Sequence, residues 1–417
     1  MKAPRPVIPA HLEMPPARLR TLKNGVQLHI LQADEFEVVR LTLVFHAGSV
    51  TQCAPFVAGA AANLLAEGSE RMSGRQIAEQ LDFYGSYFEV NLDRDFIYIS
   101  FCSLRKYYRE LLDAAGEILL RPRFPEEEVR SYCLKRQQQL AIERTKVDTL
   151  AREELAASLF GDEHPYGVRY PEAAYAELRR GQIVDHYRRL YTAGNCMAVC
   201  SGHVGPAEEE LTAALIEQLP AGEAPALHFP APVSRPFRHI ERPEALQSAI
   251  RMGRRLFTRP HPDFVGMQMV ATLLGGYFGS RLMQNLREEH GYTYGVMASM
   301  VNLDREGYLA IATQVGAETT HEALNEIYRE IERLRTEPVG EEELTLARNI
   351  LTGEMMRILD GPFGIADVAI ENLLSGQDSG VIDRNLQEIR AITPERIREL
   401  AQRYIAPSDL TVVVAGR

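Results

Sequence analysis

The segment LREEHGYTYGV, Leu286–Val296, carries an E-E-H ending that forms the right-hand part of H-x-x-E-H. In that motif two histidines on one helical face hold zinc and the glutamate activates the metal-bound water. Here the first position is Leu286, so one imidazole is missing. No other H-x-x-E-H, H-E-x-x-H or C-x-x-C pattern occurs, and His46, His164 and His203 stand singly. Upstream, Gly275, Gly276 and Gly279 form a glycine-rich turn that can end one helix and open the next. It lacks the G-x-x-x-x-G-K-[ST] pattern of a phosphate cradle. Ser280 is placed to N-cap the helix that bears Arg287.

The elements that position this stretch occur twice. FVAGAAANLLAEGS at Phe56 resembles FVGMQMVATLLGG at Phe264, and NLDR stands at Asn91 and again at Asn302. FPEEEV at Phe124 and VGEEEL at Val339 each put three glutamates, Glu126 to Glu128 and Glu341 to Glu343, in the first turn of a long helix, where the macrodipole favours negative charge. YTAGNCMAVCSG at Tyr191 matches YIAPSDLTVVVAG at Tyr404. The offsets are 208, 211, 215 and 213 residues, near enough to constant to indicate one duplicated module.

Each module reads as strands, then helices, then a closing strand. GVQLHIL, VVRLTLVFHAG and FIYISFCSL are strand-like, whereas SGRQIAEQLDFYG and the stretches from about Arg105 to Leu120 and Pro125 to Lys146 are helical. This order predicts an α+β, two-layer fold: antiparallel sheet with helices packed on one face, present twice. The boundaries read as 1–222 for the first module, 223–237 for a stiff Pro/Ala-rich linker and 238–417 for the second. Two halves joined in this way can face each other across a cleft.

At 417 residues with 45% hydrophobic content the chain can build full cores and is not a disordered protein. A net charge of −11 without basic runs gives no footprint for nucleic acid or an anionic membrane. No stretch of about 18 apolar residues and no secretory h-region occurs, so a cytoplasmic location is expected. The five scattered cysteines do not form a disulfide framework, and Cys196 and Cys200 read as thiols on one face of a strand.

LLGGYFGSRLMQNLREEHGYTYGV, Leu273–Val296, resembles the second-half signature of the pitrilysin/insulinase family of zinc peptidases: a Gly-rich turn, S-R-L, a short helix, L-R-E, then G-x-x-Y. The likeness extends along nearly the whole chain, including HPYG at His164. It implies two similar modules around a chamber that admits unfolded peptides, with zinc ligands in the first module and an Arg/Tyr pair, R-x6-Y, in the second. Arg287 and Tyr294 have that separation, which favours Tyr294 over Tyr292. The glycines would then lie beside the substrate path.

On the same alignment Gly59 and Asn63 replace the two histidines, Ala62 replaces the general base, and the third ligand falls on or near Gln139. Such a set cannot ionise water. The resemblance therefore implies a chain with no cofactor of its own, acting with a zinc-motif-bearing homologous subunit. Arg287 would position substrate, and Tyr294 would donate to the oxyanion formed at the partner's zinc. The alternative is a relative without catalysis that binds extended peptides, for instance by strand addition to a sheet edge.

Overall fold

The computed structural model describes residues 9–417. The first half runs β1 (Arg18–Thr21), β2 (Gln27–Gln32), β3 (Val38–Phe45), α1 (Val57–Asn63), α2 (Gly74–Phe83), β4 (Tyr87–Leu92), β5 (Ile97–Leu104), α3 (Tyr108–Leu120), α4 (Glu126–Glu143), α5 (Val147–Phe160), α6 (Arg180–Leu190), β6 (Cys196–Gly202) and α7 (Pro206–Ile216). The second half runs β7 (Phe237–Glu241), β8 (Gln247–Leu256), α8 (Phe264–Ala271), β9 (Val296–Asn302), β10 (Gly307–Gly316), α9 (Thr320–Thr336), α10 (Glu341–Ile358), α11 (Pro362–Leu374), α12 (Val381–Ala391), α13 (Pro394–Tyr404) and β11 (Thr411–Gly416). Two π-helical segments, Thr272–Gly276 and Met283–Glu289, lie between α8 and β9.

The first sheet has the order β1-β2-β6-β3-β5-β4 and the second β7-β11-β8-β10-β9. Setting β1 aside, the two orders superpose strand for strand. Neighbours are antiparallel except β2–β6 and β7–β11, which are parallel in both sheets. The duplication read from the sequence is thus a duplication of topology, in an α+β fold with two mostly antiparallel sheets.

Local sequence explains several boundaries. Ser73 caps α2 in a reciprocal box with Gln76, and Gly85 (φ +60) supplies the positive φ that turns the chain away. The glutamate triplets open α4 and α10 as expected. All five cysteines are free; Cys102, Cys133 and Cys200 are buried, and burial pushes the Cys200 thiol up to about 11.

Alternation along the strands fills two layers per sheet. On β3, Val39, Leu41, Leu43 and Phe45 pack on the first half's own helices, while Val44 points to the opposite face. That opposite face is covered by α11 of the second half, through Ala366, Ala369 and Ile370. Reciprocally α5 of the first half, through Ala151, Leu155 and Leu159, covers the outer face of the second sheet at Ala249, Val413 and Ala415. Helices thus lie on one face from the same half, and each half lends one more helix to the other's sheet. Each aliphatic side chain buried in these layers contributes about 1.5–3 kcal/mol relative to exposure.

Equivalent ion pairs latch the two exchanged helices. Arg40 on β3 meets Asp367 of α11, and Arg251 on β8 meets Asp148 of α5. The NLDR repeats form the tips of the β4–β5 and β9–β10 hairpins, and the two tips meet. The Asp95 carboxylate accepts from the Tyr166 hydroxyl at 2.6 Å and from the Asp304 backbone N–H at 3.0 Å. A hollow of about 650 Å³ lies beside this junction, lined from both halves by Asp93, Asp95 and Tyr98 and by Thr258, Asn302 and Tyr308. No helix among the described residues is long and apolar enough to cross a membrane.

Candidate functional site

Gly59, Ala62 and Asn63, three of the positions expected to replace the zinc motif, line one hollow of about 490 Å³. Its floor is α1, which carries Gly59, Ala62 and Asn63; its walls are β4, α4 and the turn Pro165–Tyr170. α1 starts from Phe56, a non-glycine residue in the left-handed region (φ 64), whose ring stacks on Tyr175 at 3.9 Å. Strain of this kind persists only where packing over-determines it.

The donors here do not suit zinc. Gly59 and Ala62 offer nothing, and the Asn63 amide donates to the Gly59 carbonyl at 2.8 Å. Gln139, counted to from the motif, lies on α4 but is exposed, and it does not line the hollow. There it accepts from Arg136 Nη1 at 2.8 Å. Tyr132, Arg136 and Leu140 are the α4 side chains that line the hollow, and a Cβ added to Gly59 would lie 3.5 Å from the Tyr132 hydroxyl. Burial raises the Tyr132 pKa, so its phenol stays protonated as a donor. The hollow thus presents a guanidinium and a neutral phenol, with Glu153 as its one carboxylate and no imidazole, a poor set for zinc. Among the described residues no cluster of three or more His, Cys, Asp or Glu could hold a metal ion.

Arg287 and Tyr294 lie elsewhere, at the turn joining the second π-helical segment to β9. Neither lines the hollow over Gly59. Tyr294 is 92% exposed at the mouth of a shallow depression shared with Asp148 and Arg251. The Arg287 guanidinium lies over the exposed Phe278 ring at 4.4 Å, and its nearest carboxylate is that of Glu288 at 3.6 Å. Gly291 (φ +65) makes the turn between them, and His290 stacks on Tyr292 at 4.9 Å, which holds that phenol apart from Tyr294.

The three glycines divide. Gly275 is buried, and a Cβ there would meet the Ala298 nitrogen at 2.6 Å, so its role is close approach to β9. Gly276 and Gly279 are exposed. Ser280 begins the helical turn through its carbonyl, which accepts from Gln284 N–H at 2.9 Å. Its hydroxyl is buried without a partner, so the side-chain cap expected from sequence does not form. Arg281 of the S-R-L motif instead makes a two-pronged contact with Glu343, at 2.8 and 3.0 Å, tying the loop to α10.

His164 belongs to the HPYG turn, where its Nδ1 accepts from the Tyr166 N–H at 3.1 Å. Near the hairpin tips, burial raises the pKa of Asp93 and Asp95, with the charge of Asp304 adding to both and that of Asp93 adding at Asp95, and burial lowers that of His46.

Fold and site together describe two similar α+β halves without a three-donor metal cluster among the described residues. Residues 177–351 match the family model described as "Peptidase M16 inactive domain". An uncharacterized zinc protease of Bacillus subtilis, YmxG, is 21% identical over 81% of this chain and 82% of its own length. A probable mitochondrial-processing peptidase subunit beta of Arabidopsis thaliana is 21% identical over 99% of this chain and 81% of its own. Among solved structures, a peptidase M16 inactive domain from Pseudomonas fluorescens superposes with a TM-score of 0.88 at 22% identity, covering 96% of this chain and 98% of that one. A protease from Helicobacter pylori gives 0.87 at 15% identity, over 97% and 100%. The chain is thus similar to the M16, or pitrilysin/insulinase, family, in sequence over residues 177–351 and in fold over nearly its whole length.

Proposed function

We propose that the chain is the substrate-clamping subunit of a heteromeric zinc endopeptidase that degrades unstructured peptides, the zinc being held by a homologous partner. The observation that carries this reading is the separation of the two half-sites. The hollow over Gly59 offers a single carboxylate, Glu153, and no imidazole, whereas Tyr294 is exposed and Arg287, half-buried over Phe278, has only Glu288 as a carboxylate neighbour among the described residues. Donors of these types suit a site completed in trans: Arg287 orients the substrate chain, and Tyr294 donates to the oxyanion. A relative named as a subunit of a processing peptidase agrees with such an assembly. A reducing, cytoplasmic setting fits the five free cysteines.

Purified alone, the chain is expected to carry no stoichiometric zinc and to show no chelator-sensitive cleavage of an unstructured peptide. Combined with the zinc-bearing partner, Tyr294→Phe should lower turnover by about 10²–10³, the cost of an oxyanion donor. Arg287→Ala should lower turnover too, and in both variants the partner keeps its zinc. Full activity in both would overturn the clamp.

One observation favours a second reading, a peptide-binding protein without catalysis. β4 is the last strand of its sheet, and its Val90 and Leu92 line the hollow. An extended peptide can pair with such an edge. Peptide affinity that needs no partner and persists in Arg287→Ala would favour it.

A further inference from the structure

The hollow over α1 is lined by four arginines, Arg94, Arg136, Arg144 and Arg169, and by one acid, Glu153. Two of the four are neutralised. Arg144 pairs with Glu153 and Glu172, each at 3.0 Å, and Arg169 pairs with Glu154 at 2.5 Å and Asp162 at 2.8 Å. Among the described residues the other two make no ion pair, the Glu143 charge acting on Arg136 only from a longer range. Arg94 donates to the Tyr166 carbonyl, and Arg136 donates to Gln139 and stands within hydrogen-bonding reach of the Tyr175 hydroxyl. In a chain of net charge −11, two guanidiniums without carboxylates in one concavity are an exception that calls for an anion.

The chemistry of the walls narrows which anion. The Tyr132 hydroxyl adds a neutral donor, and Phe56, Val90 and Leu140 give the hollow an apolar side that a bare inorganic ion would not use. β4, with its free edge, runs along the wall, so a peptide paired there would pass over the guanidiniums. A guanidinium fork matches the two oxygens of a carboxylate.

We propose that this hollow is an anion subsite in which Arg94 and Arg136 hold a carboxylate of an extended peptide lying along β4. The inference rests on the peptide-binding part of the functional reading and is independent of any partner subunit.

The test uses the full chain and fluorescence anisotropy with labelled, unstructured peptides of one sequence: a C-terminal acid and its amide, and an internal Asp and its Asn counterpart. Loss of one charge-assisted contact should weaken binding by about ten-fold or more, so at least one acidic peptide should bind that much more tightly than its neutral twin. The pair that shows the difference identifies the source of the carboxylate. Arg136→Gln and Arg94→Gln should each erase the preference, and Arg136→Lys should keep part of it, with an unchanged unfolding midpoint showing that the fold survives. If a variant shifts that midpoint, inorganic phosphate is added to the unmodified chain instead. Competition with the acidic peptide but not with the neutral one supports the subsite. Equal affinity for acidic and neutral peptides overturns the subsite and leaves peptide binding standing. Failure of every peptide to bind overturns both.

Discussion

Replacing Gly275 by alanine separates the two roles open to the glycine-rich turn. The added Cβ would lie 2.6 Å from the Ala298 nitrogen, 2.8 Å from the Ala298 Cβ and 3.1 Å from the Met297 carbonyl carbon. All three are inside ordinary contact, and two are backbone atoms of β9, which is held in register by β10 over seven residue pairs from Asn302 to Val296. The strand cannot shift alone, so the strain is shared by the helix end and the sheet edge. Overpacking of this kind costs about 1–3 kcal/mol. For a module of this size that lowers the melting temperature by about 2–4 °C per kcal/mol. At Gly276 the nearest atom is the Thr272 side-chain Cβ at 3.2 Å, which needs to give by only a few tenths of an ångström, and at Gly279 it is the Tyr277 ring at 3.0 Å, which can swing aside. Thermal unfolding followed by circular dichroism should therefore rank Gly275→Ala well below Gly276→Ala and Gly279→Ala, which stay near the parent chain. A Gly275→Ala variant as stable as the parent would show that β9 does not press on this glycine, and the packing argument would fail.

Two further outcomes are expected. Leu155→Ala, in a helix of the first half, should cost about 2–5 kcal/mol and should speed amide exchange in β8 and β11 of the second half, because Leu155 packs on that sheet; faster exchange confined to the first half would contradict the exchanged packing. Asp95 has a folded-state pKa raised by burial, with Asp93 and Asp304 as charged neighbours and Tyr166 and the Asp304 N–H opposing the shift. Its contribution to stability is therefore full below the ordinary carboxylate pKa of about 3.9 and is lost as the pH rises through the raised value. Asp95→Asn forfeits one hydrogen bond at every pH but removes that loss, so urea denaturation should show the variant gaining on the parent chain from acid to neutral pH. A stability difference independent of pH would refute the buried-charge account.

Much of this was legible in the sequence because it is local or repeated. The glutamate triplets mark helix starts wherever they occur, and constant offsets between four pairs of segments reveal a duplication without any knowledge of pairing. The third-ligand position was less secure. Counting along the chain reached Gln139 on α4, a helix that borders the hollow, but it is Tyr132, Arg136 and Leu140 that face the hollow. Each residue of error rotates a side chain by about 100°, so a count across several loops fixes the helix before it fixes the face. Unpaired arginines were not visible at all, since pairing depends on residues such as Glu153 and Glu172 that only folding brings to Arg144. The destinations of α5 and α11 were hidden for a related reason. An apolar stripe states that a helix must be covered but not by which sheet.

That last feature bears on ancestry. A lone half, before the gene doubled, would have carried one bare sheet face and one helix with nowhere to lie. Two identical copies trading those helices about a two-fold axis satisfy both needs, and the equivalent latches Arg40–Asp367 and Arg251–Asp148 preserve the symmetry such a pair would have had. The connector between the halves then reads as a late tether on an older homodimer. Severing it would leave the two pieces clasped.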